Sequence, residues 1–119
     1  MDIFCKIIKG EIPSYTIYED KIVKVFLDVN PSHNGHTLII PKKHYKDLFE
    51  IDEKTLNHIN KISKEVSNTL ISKLNCDGIT LTQNNGIAQE VKHYHLHLIP
   101  KYKNEEKITI DEVFNLITK

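Results

Sequence analysis

Three histidines in five positions, His93, His95 and His97, have the most chemistry to offer in this chain. They lie in the segment His-Tyr-His-Leu-His-Leu-Ile-Pro, and strand side chains alternate faces with period two. The three imidazoles then share one face, about 7 Å apart at Cα, and Tyr94, Leu96 and Leu98 turn to the core. Three roles are open to such a row. It can be a solvated polar face. It can chelate Zn²⁺, because His-x-His on a strand suits a metal. Or its central imidazole can be a nucleophile. Imidazole attacks phosphorus at neutral pH without metal help if its other ring nitrogen is held as N–H by an acceptor. Flanking histidines then donate hydrogen bonds to the phosphate oxygens as charge builds. Three histidines are a poor way to build a solvated face, and the nucleophilic reading accounts best for the middle one.

The rest of the composition narrows the partners. The 119 residues carry 16 lysines and arginines against 16 acids, a net charge of zero, which argues against a generic nucleic-acid binder. No arginine occurs at all, so anions must be handled by lysine, histidine, amide side chains and backbone N–H groups. Two cysteines, Cys5 and Cys76, make no disulfide framework and fit reduced thiols in a cytoplasmic protein. No signal-peptide pattern opens the sequence, and no apolar run reaches the ~18–20 residues of a membrane span.

The elements that must position the histidines can be read along the chain. Ile3, Phe4, Ile7 and Ile8 predict a short amphipathic helix closed by Gly10 and Pro13. Tyr15 to Glu19 and Ile22 to Leu27 predict a hairpin turning at Asp20-Lys21. Asn30 to Gly35 is a loop by composition, and Thr37 to Ile40 a buried strand stopped by Pro41. Asp52 can cap a long helix with a stripe of Leu56, Ile59, Ile62, Val66, Leu70 and Leu74. Ile79 to Gln83 and His93 to Ile99 predict further strands, the latter ended by Pro100. Thr109 and Glu112 form a capping box for a final helix. The class is α+β: one domain over residues 1–119, with a mostly antiparallel five-stranded sheet, one long helix and short terminal helices. His58 reads as a surface residue of the long helix and His33 as a turn residue.

His93-x-His95-x-His97-Leu98-Ile99 matches the pattern His-φ-His-φ-His-φ-φ, and the chain resembles the histidine-triad (HIT) superfamily. Further motifs follow in the family's order. Ile3 to Pro13 is similar to its opening helix, and Glu19-Asp20 with Phe26-Leu27-Asp28 to its first hairpin. Gly35 to His44 is similar to its second signature, and Asn84 to Gln89 to its phosphate loop. The likeness runs from about residue 3 to about 103 and is greatest to the Hint-like branch of nucleoside phosphoramidases and nucleotide hydrolases.

The resemblance implies that His95 attacks the α-phosphorus of a purine nucleoside phosphoramidate or related ester, forming a nucleotidyl-histidine intermediate. It implies that His93 and His36 orient the nucleophile and that His97 donates to the phosphate. It places Asn84 and Gln89 at the phosphate, Glu90 on the leaving-group side of the nucleotide site, Asp28 at the ribose, and Phe4, Ile7 and Phe26 around the base. No cofactor is required for that chemistry. Two features depart from the family pattern. The phosphate loop is about two residues short and lacks the Gly before Gln89, and Glu90 stands where eukaryotic members have a Ser that helps the leaving group.

Some bacterial relatives hold a structural Zn²⁺ on a Cys-x-x-Cys and two histidines. The matching positions here are Asp2, Cys5, His44 and His93, a carboxylate replacing the first thiolate. The resemblance also implies a homodimer joined edge to edge. Ile71 and Leu74 near the end of the long helix, and a β-branched edge at Ile79 to Gln83, give that pairing a physical reason. Two other functions stay open at this level: dinucleoside polyphosphate hydrolysis, as in the Fhit-like branch, and a nucleotide- or zinc-binding module with little catalysis.

Overall fold

The computed structural model describes all 119 residues. The elements are α1 (Ile3–Ile8), β1 (Thr16–Glu19), β2 (Val23–Leu27), β3 (Thr37–Pro41), α2 (Glu53–Leu74), β4 (Gly78–Gln83), a 3₁₀ turn (Gly86–Ala88), β5 (Leu96–Lys101) and α3 (Ile110–Thr118). The five strands form one antiparallel sheet in the order β1-β2-β3-β5-β4. The α+β class with one long helix is the one expected. No helix is long and apolar enough to cross a membrane.

Local chemistry sets the ends of these elements. Asp52 caps α2 by accepting from Thr55 N–H, and the helix stops at Asn75 in the left-handed region, φ 53°. The capping box of Thr109 and Glu112 is formed at α3. The hairpin turn is held by Asp20, whose Oδ1 accepts from both Ile22 and Val23 N–H.

Period-two alternation sorts β2 between the two faces of the sheet. Val23, Val25 and Leu27 join the main core with Ile59, Ile62, Val66 and Leu70 of α2 and with Val113 and Ile117 of α3. Phe26 points the other way and, with Leu38 and Ile40, packs against Phe4 and Ile7 of α1. The long helix thus braces one face, and the short first helix sits on the face that carries the histidines. Ile3, expected on the buried side of α1, is instead 48% exposed. Six residues of helix bury only the two side chains aimed straight at the sheet.

β3 ends at Pro41, as expected, but with the proline as its last residue, and β5 runs one residue past Pro100 to Lys101. The pairing of β3 with β5 spans only Thr37 to Ile39 against Leu98 to Leu96. Lys42 N–H bonds Ile22 O, the residue just before β2, so Pro41 presents its main chain to the opposite side, where β5 no longer pairs. Asp77 N–H likewise bonds Lys101 O, which turns Pro100 toward the unpaired end of β3. A missing N–H costs nothing where no ladder bond is due. The same divergence starts β5 at Leu96 rather than His93. Tyr94 N–H donates instead to Tyr45 O at 2.7 Å, and His93 to His95 form an extended lead-in.

Gly35 is required where it stands. Its φ is +88°, and a Cβ there would run into Leu74 and crowd Pro100. It brings the loop before His36 hard against the end of α2.

Candidate active site

The lead-in to β5 keeps the alternation that matters. Tyr94, Leu96 and Leu98 are buried in the main core, and His93, His95 and His97 face the α1 side. His95 Nδ1 lies 2.7 Å from His93 O. A carbonyl only accepts, so Nδ1 carries the proton and Nε2 is left with its lone pair. His93 reaches the His95 ring through its backbone, and its own ring points to Pro41 O.

The expected partnership of His36 with His95 is not what the structure shows. His36 Nε2 lies 2.9 Å from His97 Nδ1. Ser32 N–H donates to His36 Nδ1 at 3.2 Å, so Nδ1 is the acceptor and Nε2 holds the proton. His36 therefore donates to His97 Nδ1, and His97 Nε2 is left as a donor. Asp28 Oδ2, 3.6 Å from His36 Nε2, favours that proton. Ser32 had no signal beyond its place in a polar loop four residues before His36. Burial holds His95 and His36 below the ordinary imidazole value of 6.5 and, with its two histidine neighbours, pushes His97 down to about 4. Burial thus favours the neutral form of all three rings.

Two adjoining cavities meet at these rings. One, about 220 Å³, is largely apolar and is walled by Phe4, Ile7, Phe26 and Leu38. The other, about 310 Å³, is polar and is walled by Asn84, Ala88, Asn30 and His36. Asp28, Asn30, Glu90, His95 and His97 line both. Phe4, Ile7 and Phe26 are at once a small core and a cavity wall. The Phe4 ring meets His95 edge-on at 5.0 Å. Asp28 is held by Asn30 N–H.

The phosphate-loop residues separate. Asn85 bonds Leu48 N–H and Gln83, while Asn84 faces the polar cavity. Gln89 is buried, with Nε2 on Lys46 O and Oε1 accepting from Gly86 N–H. It shapes the loop and lines neither cavity. Two histidines read as plain surface or turn residues hydrogen-bond to carboxylates instead: His58 with Asp20 and His33 with Glu105, both at 2.7 Å.

A second cluster sits behind the first. Asp2 Oδ2, Cys5 Sγ, His44 Nδ1 and His93 Nδ1 lie within 4.8 Å of one another. Cys5 Sγ is 3.5 Å from Asp2 Oδ2 and 3.6 Å from each histidine nitrogen, and Asp2 Oδ2 is 3.1 and 3.3 Å from the nitrogens of His44 and His93. With metal bonds of about 2.0–2.3 Å, tetrahedral zinc ligands stand roughly 3.3–3.7 Å apart. His93 Nε2 donates to Pro41 O at 2.9 Å, which leaves Nδ1 as a lone pair facing a carboxylate oxygen. Two acceptors aimed at each other need a cation between them or a proton on the ring. The donor set fits zinc.

The family model for the HIT domain matches residues 9–104. The chain is a HIT-domain protein. It is 46% identical over 120 residues to a HIT-like protein of Methanocaldococcus jannaschii, covering 98% of this chain and 92% of that one. It is 48% identical over 101 residues to the adenosine 5'-monophosphoramidase of Saccharomyces cerevisiae, covering 83% of this chain and 61% of the yeast protein. Among solved structures, a zinc-bound histidine triad family protein from Mycobacterium smegmatis superposes with a TM-score of 0.90 at 31% identity, covering 98% of this chain and 89% of that one. The HIT domain thus accounts for the fold and for the triad; its relatives of named activity act on nucleotides.

Proposed function

We propose that this HIT-domain protein hydrolyses purine nucleoside phosphoramidates, or related nucleotide esters, at the α-phosphorus through a covalent nucleotidyl-His95 intermediate. The observation that carries the reading is the bond from His95 Nδ1 to His93 O, which leaves Nε2 unprotonated in the cavity. The base enters the apolar cavity against Phe4, Ile7 and Phe26, and the ribose hydroxyls donate to Asp28. The His95 Nε2 lone pair forms a bond to phosphorus as the P–N bond breaks. The leaving nitrogen keeps that electron pair, takes a proton from solvent and departs as an amine. Water then attacks the phosphorus, releases the nucleoside monophosphate and returns the lone pair to His95. His97 Nε2–H, oriented through His36, donates to the phosphate oxygens, and Asn84 adds a neutral donor.

The name of the yeast relative supports the phosphoramidate class. Rapid quenching of the protein with adenosine phosphoramidate is expected to show an adenylyl adduct on the peptide bearing His95 by mass spectrometry. Release of AMP with no adduct at any time overturns the covalent route.

At the second cluster, zinc on Asp2, Cys5, His44 and His93 would tie α1 to the sheet. Bound there, it would supply structural cross-linking, and His93 would link it to the site only by position. Both cysteines are free, which suits a reducing compartment such as the cytoplasm.

A homodimer completes the reading. β4 is an edge of the sheet and exposes half of Leu81, and Ile71 on α2 is 45% exposed. Pairing two β4 edges about a two-fold axis would satisfy their backbone groups and cover that surface. Light scattering is expected to give about twice the 13.8 kDa chain mass at micromolar protein; a monomer at that concentration overturns the pairing.

A further inference from the structure

The charge around the two cavities is unusual for a site that handles phosphate. Asp28 and Glu90 line both, and no lysine lines either. The three histidines there are neutral in the tautomers described above, so the permanent charges are the two carboxylates. Asp28 is engaged by Asn30 N–H and sits beside His36. Glu90 is exposed and forms no ion pair. The basic residue nearest to it in sequence, Lys92, is turned away, its Nζ on Gly86 O at 2.6 Å. No ion pair engages Glu90, and it lines both cavities together with His95.

We propose that Glu90 selects nucleotide substrates whose leaving group carries a positive charge. The inference rests on the hydrolase reading and deepens it. An in-line displacement puts the leaving group on the side of phosphorus away from His95. The polar cavity, which Asn84, Ala88 and Glu90 line together with His95, is where such a group would sit. A leaving amine bearing a second, ammonium group brings its charge near Glu90, and the attraction is retained in the transition state. A polyphosphate leaving group brings several negative charges to the same carboxylate and is repelled.

A matched pair of adenosine phosphoramidates tests this, one made with a diamine that keeps a terminal ammonium and one with a neutral alkylamine of the same length. The readout is the ratio of their kcat/KM values within each protein variant, so any general change in activity cancels. Wild type is expected to favour the ammonium substrate about 5-fold at low salt, and less as salt screens the pair. Glu90→Gln is expected to bring the ratio to about one, Glu90→Lys to invert it, and Glu90→Asp to keep most of it. A wild-type ratio near one, or an unchanged ratio in Glu90→Gln, overturns the assignment while leaving the hydrolase reading intact. Failure of wild type to turn over either substrate overturns the hydrolase reading and the selectivity with it.

Discussion

His95→Asn is expected to lower turnover of adenosine phosphoramidate by about 10⁴-fold with the protein still folded and still binding nucleotide. Loss of the nucleophile removes the covalent route as a whole and not one hydrogen bond within it. Asn is close to the proximal half of an imidazole in size and can still donate toward His93 O, so the lead-in to β5 keeps its course. His97→Ala is expected to be milder, about 10²–10³-fold, because it removes one donor to the developing charge and leaves His95 able to attack. Steady-state kinetics, with nucleotide affinity measured separately by calorimetry, read both effects. Turnover by His95→Asn within tenfold of wild type would sink the mechanism.

The second large effect concerns stability. If zinc occupies Asp2, Cys5, His44 and His93, the protein with zinc at a thousand times its Kd gains about 4 kcal/mol over the metal-free form. For a domain of this size that is roughly 10–15 °C in Tm. Chelation with EDTA, or the substitution Cys5→Ala, is expected to lower Tm by that amount, with zinc restoring it only in the unsubstituted chain. Turnover measured well below either Tm is expected to change little, because the side chains that act on the substrate are separate from the four ligands. Scanning calorimetry and elemental analysis check the two halves. A purified protein that neither contains zinc nor takes it up retires the site. Complete loss of activity on chelation, reversed by zinc, would move the metal into the chemistry.

Much of this fold was legible because its signals are local. The α2 stripe, the Asp52 cap and the Thr109–Glu112 box each depend on residues a few positions apart, and each formed as read. The alternation from His93 to Leu98 placed three imidazoles on one side and the apolar side chains in the core before any coordinates existed. What escaped reading depends on partners far along the chain. Pro100 read as a stop because a sequence does not reveal which side of a strand lacks a neighbour. His36 reaches His97 across 61 positions, and nothing in the spacing distinguishes His97 from His95 as its partner. Gln89 has the amide of a phosphate donor, yet Lys46 O and Gly86 N–H engage it first. His58 and His33 found their carboxylates in the same long-range way.

The fixed tautomers have one more consequence. Each proton position traces back to a main-chain group: His93 O for His95, and Ser32 N–H for His36 and, through it, His97. An amide and a carbonyl do not titrate in the working range of the protein and do not vary with amino-acid type. The polarity of the site is therefore written in the path of the backbone. Any sequence that follows the same path inherits a nucleophile and a donor already facing the right way. That leaves the surrounding positions free to change, and Glu90, which lines both cavities yet lies outside this chain of bonds, is one where a change can alter the walls of the site without disturbing its tautomers.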